Sequence, residues 1–89
     1  MKAVITVVGR DAKGIIAKTT TVLSEHGVNV LDITQSVLGE IFAMVMFVDI
    51  STCTIPFTAL VDEMRELGDK IGVKIHTMHE DIFNSMHRI

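Results

Sequence analysis

The chain has 89 residues, with 8 Lys and Arg against 11 Asp and Glu and a formal net charge of −3. This length indicates one domain, and a hydrophobic content of 48% indicates a folded chain rather than a disordered one. There is no Trp or Tyr and there are only 4 Phe, so bases find no aromatic stacking surface, and the acidic balance argues against nucleic acid as a partner.

Cysteine content and hydropathy indicate the compartment. Cys53 is the single cysteine, so neither an internal disulfide nor a zinc site built on cysteines is possible. The apolar run after Lys2 ends at Gly9, which is too short for the core of a signal peptide. No window reaches the roughly 18 apolar residues that a membrane helix needs. We expect a cytoplasmic protein with no membrane partner.

Hydrophobic periodicity and turn residues predict the elements. Gly27 stands where a helix stop is expected, whereas Gly68 and Gly72 offer two stops for the second helix. In chain order the predicted elements are a strand over 3–8, a helix over 15–26, strands over 28–37 and 41–50, a helix from 57, a strand over 73–79 and a terminal helix over 80–89.

This order is typical of the split βαβ, ferredoxin-like fold. A faint internal repeat supports it, because Gly27-Val28 and Gly72-Val73 follow the two helices in the same way. We expect an α+β domain over 1–79 with a four-stranded antiparallel sheet and two helices on one face. Residues 80–89 are expected to form a C-terminal helical extension of that domain, docked on it because so short a helix is unstable alone.

The third predicted strand is apolar on both faces, although helices cover only one face in this fold. Its two sets of side chains are Ile41, Ala43, Val45 and Phe47 on one face and Phe42, Met44, Met46, Val48 and Ile50 on the other. A bare apolar face on a small domain indicates an interface, so we predict a homodimer through the sheet face or edge. The alternative is that the terminal helix and loops cover the face.

The second predicted strand leaves two registers open. Val30 and Ile33 both have the character of core residues, yet residues three apart point to opposite faces of a regular strand. Either a bulge separates them, or Leu31 and Ile33 point inward and Val30 points outward. The side on which Asp32 lies depends on this choice.

The loop over 9–14 is the strongest candidate for a binding site. Its glycines allow close backbone approach, and the helix that follows presents unpaired N–H groups and a positive dipole. We expect Asn29 near the same end of the sheet, where its amide and Asp11 would suit a small zwitterion. The alternative is structural: the glycines shape a turn, Asp11 caps the helix and Asn29 occupies a turn.

Two segments resemble the ACT domain family of small-molecule-sensing modules. Residues 5–15, ITVVGRDAKGI, resemble the family's strand, Asp-x-x-Gly and Ile/Leu entry into the first helix. Residues 23–33, LSEHGVNVLDI, resemble its Gly-x-Asn-(Ile/Val) segment. Over 1–79 and with its Asp81-Ile82-Phe83 tail, the chain is most similar to a stand-alone single-domain ACT group of unknown function. It is more distantly similar to the regulator of the glycine cleavage system.

This resemblance implies a ligand site between the first βα loop and the second strand, often at a subunit interface, with amino acids as the usual ligands. Carried over residue by residue, it nominates Asp11, Gly14, Ile15 and Asn29. The function it implies is a dimeric regulatory module without catalysis or cofactor that acts through a protein target.

Two alternatives to a sensor remain. One is a structural dimerisation subunit with an empty site. The other is a small acylphosphatase-like hydrolase, which is disfavoured because no Gly-x-x-Gly-x-x-x-Arg pattern surrounds Arg10. A metal site is also disfavoured, since His76 and His79 point to opposite faces of a strand. His26 is interpreted as a residue of the last helical turn that interacts favourably with the helix dipole.

Overall fold

A computed structural model describes residues 1–10 and 13–86 of the chain. The sheet has the strand order β2-β3-β1-β4, with every neighbouring pair antiparallel, which confirms the predicted ferredoxin-like fold. The last part of the predicted terminal helix, residues 87–89, lies outside the described residues. The elements are β1 (Lys2–Gly9), α1 (Ile15–Glu25), β2 (Asn29–Leu38), β3 (Ile41–Asp49), α2 (Phe57–Ile71), β4 (Lys74–His79) and α3 (Glu80–Met86).

The core lies between α1, α2 and one face of the sheet. Buried apolar side chains from β1, β3 and both helices form one cluster there. Thr19 is a buried polar residue of α1, and its hydroxyl donates a hydrogen bond of 2.8 Å to the carbonyl of Ile15 one turn earlier. That internal bond allows a threonine-rich helix to face the core without an unsatisfied hydroxyl.

The second helix passes its first possible stop. Gly68 is buried within α2, and a Cβ there would lie 2.7 Å from the carbonyl oxygen of Val73. Glycine at this position therefore permits close packing of α2 on the chain entering β4. The helix ends at Gly72, whose φ of 81° is the left-handed conformation typical of a helix stop.

A bulge resolves the register of β2. Val30 lies opposite Val48 and Ile33 lies opposite Met46, with the irregularity between Val30 and Asp32. The extra residue, Leu31, brings Val30 and Ile33 onto the same, helix-covered face. The bulge alternative is therefore confirmed.

The sheet face opposite α1 and α2, called here the open face, is only partly covered. The ring of Phe83 in α3 packs edge-on against Phe47, with 6.4 Å between ring centroids, and Val4 is 0% exposed at this end. At the far end of β1, Val8 is 46% exposed. Thus α3 covers one end of the open face and leaves the other to solvent. Within the described ranges, no helix is long and apolar enough to cross a membrane.

Candidate functional site

The first βα connection ends at Gly14, the N-cap residue of α1. Gly14 has a φ of 71° at the N-cap of α1, a conformation that favours glycine. No side chain of the described residues caps this terminus, and the first turn of α1 contains no acidic residue. Ile15, the next residue, is buried in the core and anchors the turn. Asp11, the third nominated residue of this region, lies outside the described residues.

Asn29 lies at the opposite end of the sheet, so the expectation that it shares an end with the loop is wrong within one chain. The register places Asn29 opposite Asp49, which in turn lies opposite Lys2 at the start of β1. The loop leaves from Gly9 at the other end of β1, seven residues and about 23 Å away at the usual strand rise. The physical reason is that α1 carries the chain back along the sheet, so β2 begins where β1 began.

The surroundings of Asn29 contain a carboxylate that sequence reasoning missed. The N-terminal amino group donates a 2.8 Å hydrogen bond to Ser51 Oγ, and the Ser51 N–H donates one of 2.8 Å to Asp49 Oδ1. Hydrogen bonds from the Ser51 side chain and then its backbone hold the pKa of Asp49 below the usual range of aspartate. A charged carboxylate therefore lies next to Asn29 across the β2–β3 ladder, and only the strand register reveals it.

A cleft between α1 and α2, here called the lysine cleft, also escaped sequence reasoning. Its volume is about 460 Å³. It lies beside the first turns of α1 and the last turns of α2, and its lining residues are Lys13, Ile15, Lys18, Leu67, Lys70 and Ile71. Because Lys18 and Lys70 are far apart in sequence, only the packing of the two helices brings them together.

Two of the histidines, His26 and His79, contact other side chains. His26 Nε2 lies 2.7 Å from a carboxylate oxygen of Glu63, so this histidine contacts α2 as well as ending α1. The ring of His79 stacks on Phe57 with 4.0 Å between centroids. Across residues 1–10 and 13–86, no group of three or more His, Cys, Asp or Glu side chains could hold a metal ion.

A family model described as ACT domain matches residues 2–78, which span β1 through nearly all of β4. The chain belongs to the ACT domain family. Domains of this family are typically regulatory domains that bind small molecules. A UPF0237 protein of Bifidobacterium longum is 51% identical to this ACT domain over 88 residues, which cover 99% of the chain and 98% of that protein.

Solved structures agree with this assignment. An ACT domain protein from Streptococcus pneumoniae superposes with a TM-score of 0.82 at 42% identity, covering 93% of each chain. A protein assigned as a glycine cleavage system transcriptional repressor superposes with a TM-score of 0.70 at 23% identity, covering 85% of this chain and 43% of that one. The first similarity supports family and fold, and the second supports the fold alone. The predicted resemblance to the ACT family is confirmed.

Proposed function

We propose that this ACT domain is a cytoplasmic, non-catalytic regulatory module that binds an amino acid as a homodimer. The observation that carries the proposal is the uncapped start of α1 at Gly14 and Ile15, where backbone N–H groups have neither a side-chain cap nor a first-turn carboxylate in the described part of the chain. Such a helix start favours a carboxylate ligand through its N–H donors and its dipole.

Two copies are needed to complete this site, because Asn29 lies at the other end of the sheet in one chain. β2 is an edge strand, and a twofold axis that sets it antiparallel to β2 of a second copy exchanges the two ends of the sheet. Asn29 of one copy then approaches the Gly14 end of the other. This arrangement combines Gly14 and Ile15 of one copy with Asn29 of the other in a site between copies.

The chemistry of the two ends is complementary to a zwitterion. The helix start at Gly14 attracts the carboxylate of an amino acid. The amide of Asn29 and the carboxylate of Asp49 supply acceptors for its ammonium group. A carboxylate with a lowered pKa is a poor general base, so these groups suit binding better than proton transfer. The bound state would then be read by a protein target.

The proposal is tested by thermal shift and calorimetry with the twenty amino acids. We expect at least one to raise the melting temperature and to bind with saturation. Asn29→Ala should abolish this response. Asn84→Ala is the matched control, because Asn84 is an exposed amide on α3, outside the proposed site. Silence of the wild-type protein toward all twenty would exclude amino-acid sensing, and a dimer that persists without any response would favour the structural subunit.

A further inference from the structure

The lysine cleft has the size of a ligand site and is built from one chain. Its volume of about 460 Å³ lies within the roughly 300–1,000 Å³ of small-molecule pockets. All its lining residues belong to α1, α2 or the residue pair before α1. An occupant of this cleft therefore needs neither the second copy nor Asn29, and the inference goes beyond the proposed amino-acid site.

Positive charge dominates the lining although the chain is acidic overall. Three of the six lining residues are lysines and none is a carboxylate, against a formal net charge of −3 for the protein. Among the described residues, neither Lys18 nor Lys70 forms an ion pair with an acid. Glu66 lines the neighbouring groove together with Lys70, but no ion pair joins the two side chains. The cleft thus attracts anions.

Helix stability explains the position of Lys70 but not that of Lys18. Lys70 lies in the last turn of α2, where a cation stabilises the negative end of the helix dipole. Lys18 lies near the start of α1, beside its positive end, where a cation is unfavourable. Its stem reaches back toward the helix start, with Cε 3.8 Å from where a Cβ on Gly14 would be. An anion in the cleft would offset the repulsion between Lys18 and the positive pole.

The apolar part of the lining indicates an organic anion rather than an inorganic one. Ile15, Leu67 and Ile71 supply half of the lining residues. An inorganic ion gains nothing from these side chains, whereas a ligand with a carbon skeleton buries apolar surface against them. Lysines are effective phosphate ligands as point charges. We propose that the lysine cleft binds the phosphate ester of a small metabolite, with the phosphate between Lys18 and Lys70 and the organic part over the isoleucines and Leu67.

Titration calorimetry at about 0.15 M salt tests this with three phosphate probes: inorganic pyrophosphate, glucose 6-phosphate and adenosine monophosphate. Glucose and adenosine are the uncharged matches. We expect saturable binding of at least one phosphate ester, one per chain, and none of its uncharged match. Lys18→Gln and Lys70→Gln should each weaken that binding about tenfold. Lys2→Gln, which removes the same charge at the opposite end of β1, should leave it within about twofold.

Three outcomes would overturn the proposal. The first is the absence of saturable binding for both phosphate esters, whether or not pyrophosphate binds. The second is equal weakening by Lys2→Gln. The third is binding only to vesicles that contain phosphatidylinositol phosphate, which would assign the charge to a lipid surface. Failure here is distinguishable from failure of the amino-acid proposal, because Lys70→Gln, a change in the last turn of α2, should keep the amino-acid thermal shift that Asn29→Ala abolishes.

Discussion

The backbone of Gly27, after the end of α1, packs so closely against the loop before α2 that a larger residue would clash. Its φ is 74°, and a Cβ there would lie 2.5 Å from the carbonyl oxygen of Thr52. The Thr52 hydroxyl in turn donates a 2.7 Å hydrogen bond to the Gly27 carbonyl. At the residue scale, this glycine therefore carries two constraints: a left-handed backbone and a close approach.

Gly27→Ala should consequently cost more stability than Gly39→Ala. Gly39 has a φ of 62° but nothing within 4 Å of its would-be Cβ, so alanine there costs only about 1 kcal/mol for the left-handed backbone. At Gly27 the clash should add roughly 1–3 kcal/mol. Urea unfolding followed by circular dichroism, at one protein concentration, measures both changes. Equal losses would show that the loop at Thr52 moves aside freely.

Asp49 should make stability depend on pH in the acid range. Because hydrogen bonds from Ser51 lower its pKa in the folded state, the charged carboxylate stabilises the native chain. This contribution is complete above the ordinary aspartate pKa of about 3.9 and is lost as pH falls through the folded-state pKa. The wild type should therefore lose its advantage in melting temperature over Asp49→Asn between about pH 5 and about pH 2. Glu40→Gln, at the exposed hairpin, controls for the loss of one negative charge. A difference in melting temperature between wild type and Asp49→Asn that stays constant across this range would contradict the prediction.

At the scale of elements, the sequence predicts helices and strands correctly where local periodicity and stop residues determine them. Apolar spacing located both long helices and all four strands. It did not decide between Gly68 and Gly72 as the end of α2, because a buried glycine that serves close packing has the same sequence signal as a stop. It also left the bulge at Leu31 open, since only pairing with β3 shows which face each residue takes.

An aromatic contact joins the terminal helix to the sheet. Phe83 packs on Phe47 over the open face, whereas Met86 on the same helix is 66% exposed. Phe83→Ala should lower the free energy of unfolding by about 2 kcal/mol, less than for a fully buried phenylalanine because the site is half-buried. Met86→Ala should change it by less than about 0.5 kcal/mol. Similar effects of the two variants in urea unfolding would show that α3 does not dock through Phe83.

At the scale of the whole molecule, topology decided what local patterns could not. Asn29, at the start of the second strand, was expected near the first loop, yet α1 carries the chain back along the sheet and separates the two. Within one chain Gly14 and Asn29 cannot form a single site, so the proposed binding site and the proposed dimer depend on each other. The lysine cleft depends on neither, because both of its helices belong to one chain.

The exposed apolar side chains indicate where that second copy would dock. The open face is partly covered by α3, and β2 contributes polar Asp32, Thr34 and Ser36 to it. Large apolar residues are also exposed at the β2–β3 hairpin, where Val37 and Leu38 end the edge strand and Leu38 lies on the open face. An exposed edge strand of this kind pairs readily with another strand. We therefore expect a second copy to pair through the β2 edge, and the alternative is stacking of sheet faces.

We expect sedimentation equilibrium to find a homodimer at low-micromolar concentration and the double variant Val37→Lys, Leu38→Lys to be monomeric. Lysines on an edge strand oppose pairing through like-charge repulsion and the cost of burying their charge, while the exposed positions leave the fold intact. Ile82→Lys is the matched control, because Ile82 is also an exposed apolar residue but lies on α3. A monomeric wild type would contradict self-association altogether. If instead the Ile82→Lys variant is monomeric and the edge variant is dimeric, the interface lies on the open face. Paired β2 strands would then not bring Asn29 of one copy to the Gly14 site of the other.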